Sequence, residues 1–464
     1  MGRLSRRFCL AVGVSLSLLA MTQGQAKTVK LSPDQLKAVA IQDLQLGQPE
    51  RALRYSDALL KRDDQDVMSH LIRARALRDL QQFGTARTSA KTAWSLSETK
   101  AELYSSSRTM AQILSSQGHR TRAQWWLRRA VEHAPDERAT QQAIGDFRYV
   151  KARNPWLARI SFSITPDSNI NNGSSERSSF LNYRLSEIIA GQPVDYQLPG
   201  TARALSGIEY SLGLTTRYRF SETPTQAHDI IFTADVRHYT LSSSAKALAP
   251  NAEGNDFAFA SYTLGYGHKR INLDRRGEFR TVFDIGQSWY GGDEYARFAR
   301  LSLGQSYKLQ SGNRVNLRVS GEKQDGITRS DSDTVRTDFS YTHRLQSGAL
   351  LWTNVTGAFA TSPLALDEFH ELGLRAQLTL PKKVAGATMH LGLWARKRNY
   401  DFSPHHRDGR REDRVQADLT MVFNKVDYYG FNPTMRVTAS KTDSNISLYD
   451  AKRFGVNFGI QSAF

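Results

Sequence analysis

The chain has 464 residues, with 62 Lys and Arg against 45 Asp and Glu, for a formal charge of +17. At 40% hydrophobic and 23% charged it falls in the globular range and is long enough for two domains, each with its own core. A single cysteine excludes a disulfide framework and any zinc or iron–sulfur centre built on several thiolates.

Residues 1–26 read as an export signal: Arg3, Arg6 and Arg7 make a basic start, Phe8 to Met21 is largely apolar and uncharged, and Gly24-Gln25-Ala26 offers small residues for cleavage. Cys9 stands before the apolar core, the wrong place for an acylated lipoprotein cysteine. Removing three arginines leaves +14 on a chain expected to begin at Lys27. Such a basic exported protein can face nucleic acid, lipid headgroups or an acidic protein, and charge alone does not choose among them. No later run of ~18 apolar residues occurs, so a membrane role requires a barrel.

From Leu31 to about Val150 the pattern is helical and repetitive. Leu46-Gly47 with Ala52, Leu80-Gln81 with Ala86 and Gln117-Gly118 with Ala123 place a small residue at intervals of 34 and 37, the spacing of tetratricopeptide-like helix pairs. Gln81 and Gln117 depart from the pattern. Pro33, Pro49 and Pro135 suit helix starts or stops. The expectation is three helix pairs over residues 27–153, with arginines such as Arg75, Arg78, Arg108 and Arg128 on solvated faces or along a groove for an acidic or extended peptide.

The texture changes at Asn154-Pro155-Trp156, where the residue before proline disfavours helix. Beyond Trp156 lie 36 of the 46 aromatic residues, and apolar positions recur every second residue. Phe454, Val456, Phe458 and Ile460 alternate with Arg453, Gly455, Asn457 and Gly459. The same parity separates Val415, Ala417, Leu419 and Met421 from Arg414, Gln416, Asp418 and Thr420. Fourteen such segments centre near Ser161, Gly213, Ala234, Tyr262, Phe283, Leu303, Leu317, Phe339, Val355, Leu374, Leu391, Leu419, Met435 and Phe458. An even count with both ends on one side is what a closed outer-membrane barrel of antiparallel strands requires. Short connections at Ser311-Gly312, Ser347-Gly348 and Val426-Asp427 fall on one side; the stretches 167–200, 243–255, 324–333 and 400–412 fall on the other. The reading is therefore an N-terminal all-α domain and an all-β transmembrane barrel over 157–464. Phe464, terminal on an alternating strand, suits a membrane-insertion signal read by barrel-insertion machinery.

Parity assigns Arg217, Arg219, Arg237, Arg318, Arg336, Arg375, Arg396, Arg436 and Arg453 to the lumen, partly offset by Asp235, Asp338 and Asp418. They either favour anionic or polar cargo or pair across the wall and hold its shape.

An amino-terminal tetratricopeptide-like domain on a 14-stranded barrel resembles the surface lipoprotein assembly modulator (Slam) family, also called type XI secretion outer-membrane proteins. Pro166-Asp167-Ser168-Asn169-Ile170-Asn171-Asn172 after the first strand carries the likeness, with Gly430-Phe431-Asn432-Pro433 leading to Ser444-Asn445 and Tyr449 before the last. The resemblance implies an outer-membrane translocon. Its cargo would be surface lipoproteins or soluble haem- or metal-capturing proteins, recognised by the helical domain in the periplasm. Locally, Pro166, Asp167, Ser168, Asn169 and Asn171 read as a shaped loop at a strand end, because short polar side chains bond the backbone. That loop is also a candidate gate or cargo contact.

No G-x-S-x-G elbow, H-E-x-x-H helix or G-x-x-x-x-G-K-[ST] loop occurs, so no catalytic, metal or cofactor residue is assigned. His405-His406, beside Asp401 and Asp408, reads as an ordinary polar loop. Dispersed basic residues without a recognised module argue against nucleic acid. Cargo protein and outer-membrane lipid are the expected partners. The competing reading is a passive porin or uptake channel with a periplasmic docking domain.

Overall fold

The computed structural model describes residues 30–462, so the expected signal at 1–26 and the terminal Phe464 lie outside the described residues. Seven helices come first among these residues: α1 (Pro33–Gln45), α2 (Pro49–Arg62), α3 (Val67–Asp79), α4 (Phe83–Leu96), α5 (Lys100–Ser116), α6 (Arg120–Glu132) and α7 (Glu137–Arg153). Local chemistry sets their starts. Ser32 and Gln35 form a capping box before α1, Thr99 and Glu102 another before α5, and Pro33 and Pro49 open their helices where no amide is needed. Consecutive helices pack together and alternate ones, α1 with α3 and α3 with α5, touch as well, the stacking of tetratricopeptide pairs. Ala52, Ala86 and Ala123 are fully buried, which is why the repeat keeps a small residue there. The helix turns need a left-handed residue: Gly47 and Gly118 adopt φ of +70° and +88°, and Gln81 is forced to +60° where its repeat lacks glycine. The expected three pairs are present, with α7 as an additional helix that leads into the barrel.

The barrel opens with β1 (Trp156–Asp167), followed by a small loop hairpin of β2 (Ser178–Phe180) and β3 (Asp195–Gln197) flanking α8 (Tyr183–Ala190). Then come β4 (Gly207–Glu222), β5 (Gln226–Leu241), a short α9 (Ser243–Leu248), β6 (Phe259–Asn272), β7 (Gly277–Tyr290), β8 (Asp293–Lys308), β9 (Arg314–Gly326) and β10 (Ser332–Arg344). The remainder are β11 (Leu350–Thr361), β12 (Phe369–Thr379), β13 (Thr388–Tyr400), β14 (Arg410–Val422), β15 (Phe431–Ser444) and β16 (Ala451–Ser462). All but β2 and β3 form one closed antiparallel barrel of fourteen strands, and each of the fourteen expected centres falls on one of them.

The barrel strands run 11 to 16 residues, enough for the ~9–11 a tilted membrane strand needs. Their outer face is apolar and exposed, as at Leu212, Phe283, Leu303, Phe339, Leu374 and Leu393. Aromatic rings gather outside the end nearest the helices: Trp156 stacks on Tyr218 at 4.8 Å, with Phe220 and Tyr266 beyond, as expected of rings at a bilayer interface. No helix of the described residues is long and apolar enough to cross a membrane. Turns are mostly short at the helical end, those at 380–387 and 423–430 being longer. The far end carries the long loops, apart from a tight turn at Gly291-Gly292, where φ of +61° and +96° suits a two-residue hairpin.

Closure is uneven. β1 pairs with β4 from Trp156↔Tyr218 through Asp167↔Gly207. With β16 it pairs only at Ser163↔Gly459, Ile164↔Phe458 and Asp167↔Gly455.

Candidate functional site

The lumen is a wall of ion pairs in which carboxylates lie beneath arginines. Asp229, almost fully buried, accepts from Arg219 Nε at 2.8 Å and lies 3.9 Å from Arg217. Glu371 accepts from Arg398 Nε at 2.8 Å, with Arg396 at 3.7 Å and Arg336 at 4.0 Å. Asp418 lies between Arg375 and Arg436, 3.8 Å from each. Glycine makes the room: a Cβ at Gly392 would stand 2.5 Å from Asp418 Oδ2, and one at Gly265 would collide with Asp284. Arg336 Nε donates to Asp338 Oδ2 at 3.0 Å, and Arg453 Nε to Asp167 Oδ2 at 2.6 Å. Arg237 sits over the Phe259 ring at 5.8 Å. Arg318, Arg336 and Arg375 border cavities inside the barrel, the larger about 640 Å³ and also lined by Arg280, Arg300 and Glu322.

Further arginines join this wall. Arg300 binds Glu322, Arg410 Nε lies 3.2 Å from Glu412, and Arg414 sits over Trp394 at 5.2 Å. Arg398 and Arg410 lie at the far ends of β13 and β14, beyond the apolar alternation that marked those strands, whereas Arg300 and Arg414 lie within it. The signal for finding the first two was continued inward parity past that band.

The Pro166-to-Asn172 motif is a knot at the far rim. Asp167 Oδ1 accepts from the Asn169 amide at 2.8 Å, and the buried Asn169 side chain donates to the Gly173 carbonyl at 2.8 Å. Asn171 Nδ2 donates to Arg203 O at 2.8 Å while its Oδ1 accepts from the Leu205 amide at 2.9 Å. Ser168 bonds across to Phe454 through both its amide and its hydroxyl, at 3.0 and 2.8 Å. Pro166, with no amide hydrogen, donates no ladder bond. The loop that follows is stitched to the turn Ser447–Tyr449 by Ser174 Oγ to Ser447 O at 2.6 Å and the Leu448 amide to Ser179 Oγ at 3.0 Å. It also reaches the 401–409 loop, where Arg407 binds Glu187 at 2.7 Å and the Asn182 amide donates to His405 Nδ1 at 3.2 Å. His405 is thereby a loop fastener.

The second motif shapes the near rim. Tyr429 and Gly430 take positive φ, and buried Asn432 ties its amide to Val426 O at 2.9 Å. The helices grip the turn so formed. From α6, Arg128 Nη1 donates to Tyr429 O at 2.8 Å and Gly430 O at 2.9 Å, and Nη2 donates to Ser462 Oγ at 2.9 Å. Its guanidinium lies over Phe431 at 4.1 Å, and Glu132 Oε2 accepts from the Tyr429 amide at 3.0 Å. On the other side Asn154 Nδ2 donates to Thr121 Oγ1 at 2.9 Å just before β1 begins.

The helical unit carries its own recess of about 250 Å³ between α3, α5 and α7, lined by Arg78, Gln112, Ser115, Asp146 and Tyr149. Arg78 donates to Gln112 at 2.9 Å and Arg108 binds Asp146 at 2.8 Å. Burial, then Arg78 and Arg108 beside it, lowers the Arg75 guanidinium from its usual value.

A closed barrel with an ion-paired polar lumen and a helical unit bolted to one rim defines an outer-membrane assembly or transport protein. The match to a family model over residues 156–461 makes it specific: the chain belongs to the surface lipoprotein assembly modifier family. No curated protein matches. Similar solved structures include the first tetratricopeptide domain of the human RPAP3 protein, 16% identical, covering 26% of this chain and 90% of that one with a TM-score of 0.23. Another is the Yersinia enterocolitica type III secretion translocator chaperone SycD, 19% identical over 27% of this chain and 88% of that one, TM-score 0.24.

Proposed function

We propose that this chain is a translocon that delivers lipoproteins across the outer membrane. The helical unit faces the periplasm, where it receives the cargo, and the barrel passes the polypeptide outward. The observation that carries this reading is the fastening of the helical unit to the barrel mouth through Arg128 and Glu132. A receptor held there delivers its ligand at high local concentration to the pore beneath which it is tethered. The recess beside Arg78 and Asp146 supplies polar and aromatic groups for an extended segment. The arginine-rich lumen suits a polar chain and is hostile to an apolar one. The far-rim knot at Asp167, Asn169 and Asn171 closes the exit until cargo arrives.

Deleting the gene and following a lipoprotein encoded nearby by protease shaving of intact cells tests the reading. Loss of surface exposure, restored by the full chain and not by a chain lacking residues 27–150, is expected. Unchanged exposure overturns it. A large, steadily open conductance of the purified chain in planar bilayers would instead favour a passive channel.

A further inference from the structure

The joint between β1 and β16 is closed at one end only. Continuing its register would set Phe162 against Ile460 and Ser161 against Gln461, yet neither pair forms. Both strands are fully laddered on their other sides, β1 to β4 down to Trp156 and β16 to β15 through Ser462. Among the described residues, the backbone groups of β1 before Ser163 that point away from β4 have no ladder partner on β16 and face a slit bordered by Ile460 and Gln461. Every other joint of the barrel runs along its strands, as from Ser332↔Gln324 to Thr342↔Arg314 between β10 and β9. Unpaired backbone at membrane depth is tolerated only where something else satisfies it, so the open joint is a built feature.

The slit has two faces. Ile160, Phe162 and Ile460 lie exposed on its lipid side. Ser161, whose hydroxyl lies 3.5 Å from Gly213 O in the wall, and Gln461 lie on its lumen side.

Its two ends are also treated differently. The far end is latched by Arg453 on Asp167 at 2.6 Å, Asn457 on Thr165 at 2.7 Å and the Ser168–Phe454 pair. At the near end the two lips belong to one lever. β1 continues from α7 through Asn154, and the end of β16 is held by Arg128 of α6 through Ser462.

We propose that this seam is a lateral exit, through which the acyl chains of a lipoprotein stay in the bilayer while its polypeptide occupies the lumen. The inference rests on the lipoprotein reading above. A lipid anchor dragged through an arginine-lined lumen would lose its contact with hydrocarbon along the whole path. A slit that is oily outside and polar inside removes that cost, because the linker between anchor and polypeptide threads the wall. For the anchor to travel the full height, the remaining pairs at Ser163, Ile164 and Asp167 must part, and a shift of the helical unit is positioned to spread the lips below them.

The test locks the last closed step. Ile164→Cys with Phe458→Cys replaces two registered, lipid-facing partners, while Leu317→Cys with Phe339→Cys does the same across the continuous β9–β10 joint. With each disulfide confirmed on a gel, surface delivery of an acylated cargo is expected to fall at least about tenfold in the oxidised seam variant and to return on reduction. The β9–β10 variant should be indifferent. Delivery equal in oxidised and reduced seam variants overturns the exit. Hydrogen exchange of the unmodified full chain in nanodiscs gives an independent reading: amides of 156–162 that point away from β4 are expected to exchange on the order of 100-fold faster than those of β10, and equal protection also overturns it. A wild-type chain that moves no lipoprotein sinks the functional reading and the exit together. One that moves it, with the locked seam moving it equally well, sinks the exit alone.

Discussion

Substituting Arg128 by alanine should release the helical unit from the barrel without unfolding either. With the described residues the side chain makes three charged hydrogen bonds across the joint, at 2.8, 2.9 and 2.9 Å, and covers the Phe431 ring at 4.1 Å. Each such bond contributes about 1.5–3 kcal/mol when its partners are desolvated, but water can reach the rim carbonyls once the guanidinium is gone. The net loss is accordingly about 3 kcal/mol rather than the sum, which lowers the docked-to-free ratio by a factor on the order of 100. Glu132 and its bond to the Tyr429 amide remain. Spin labels at exposed Lys61 and Lys382, read by pulsed dipolar spectroscopy in nanodiscs, should give one narrow distance for the native chain and a broad distribution for Arg128→Ala. Arg128→Lys keeps the charge, loses the fork that reaches two carbonyls and a hydroxyl at once, and should fall between them. A narrow, unchanged distance in Arg128→Ala would refute the fastening.

Glu371→Gln removes the charge that Arg336, Arg396 and Arg398 share. Among the described residues only Arg398 then lacks a carboxylate, because Arg336 keeps Asp338 and Arg396 keeps Glu412. Losing one charged hydrogen-bond partner costs about 1.5–3 kcal/mol, so the barrel should lose its heat-resistant gel mobility at a lower temperature, and an unchanged profile would show that the Arg398–Glu371 pair carries no stability. Gln81→Gly relieves a left-handed side chain and should stabilise the helical unit by about 1 kcal/mol, seen as a higher Tm of its helical circular dichroism; a lower Tm contradicts it. Burial and then Arg410 hold His405 below its usual 6.5. Its contact with the Asn182 amide therefore contributes fully above that value and is lost as pH falls through the lower folded value. Amides of 182–190 should exchange faster as pH falls below the ordinary 6.5, once intrinsic rates are corrected, and a profile that stays flat into acid would exclude His405 as the fastener.

Much of the barrel was legible because hydrocarbon outside and water inside impose strict parity on every strand; Leu374 cannot trade places with Arg375. The repeat unit was legible through Ala52, Ala86 and Ala123, whose size is dictated by helix contact. The joints were not. Arg128 has the look of any charged helix residue, and only the fold brings it to Tyr429, some 300 positions away. The thin pairing of β1 with β16 depends on how the two chain ends meet, which alternation within either strand does not encode. Asp167 and Asn169 were visible as turn chemistry, but their partners Arg453 and Lys452 come from the other end of the chain.

The most direct measurement places the purified full chain in liposomes with its helical unit outward and adds an acylated lipoprotein together with a soluble carrier. The account predicts that the lipoprotein becomes protected from external protease, and that protection is lost when detergent opens the vesicles. Lipoprotein that stays fully protease-sensitive, in vesicles where the barrel is shown to be folded and correctly oriented, would contradict it.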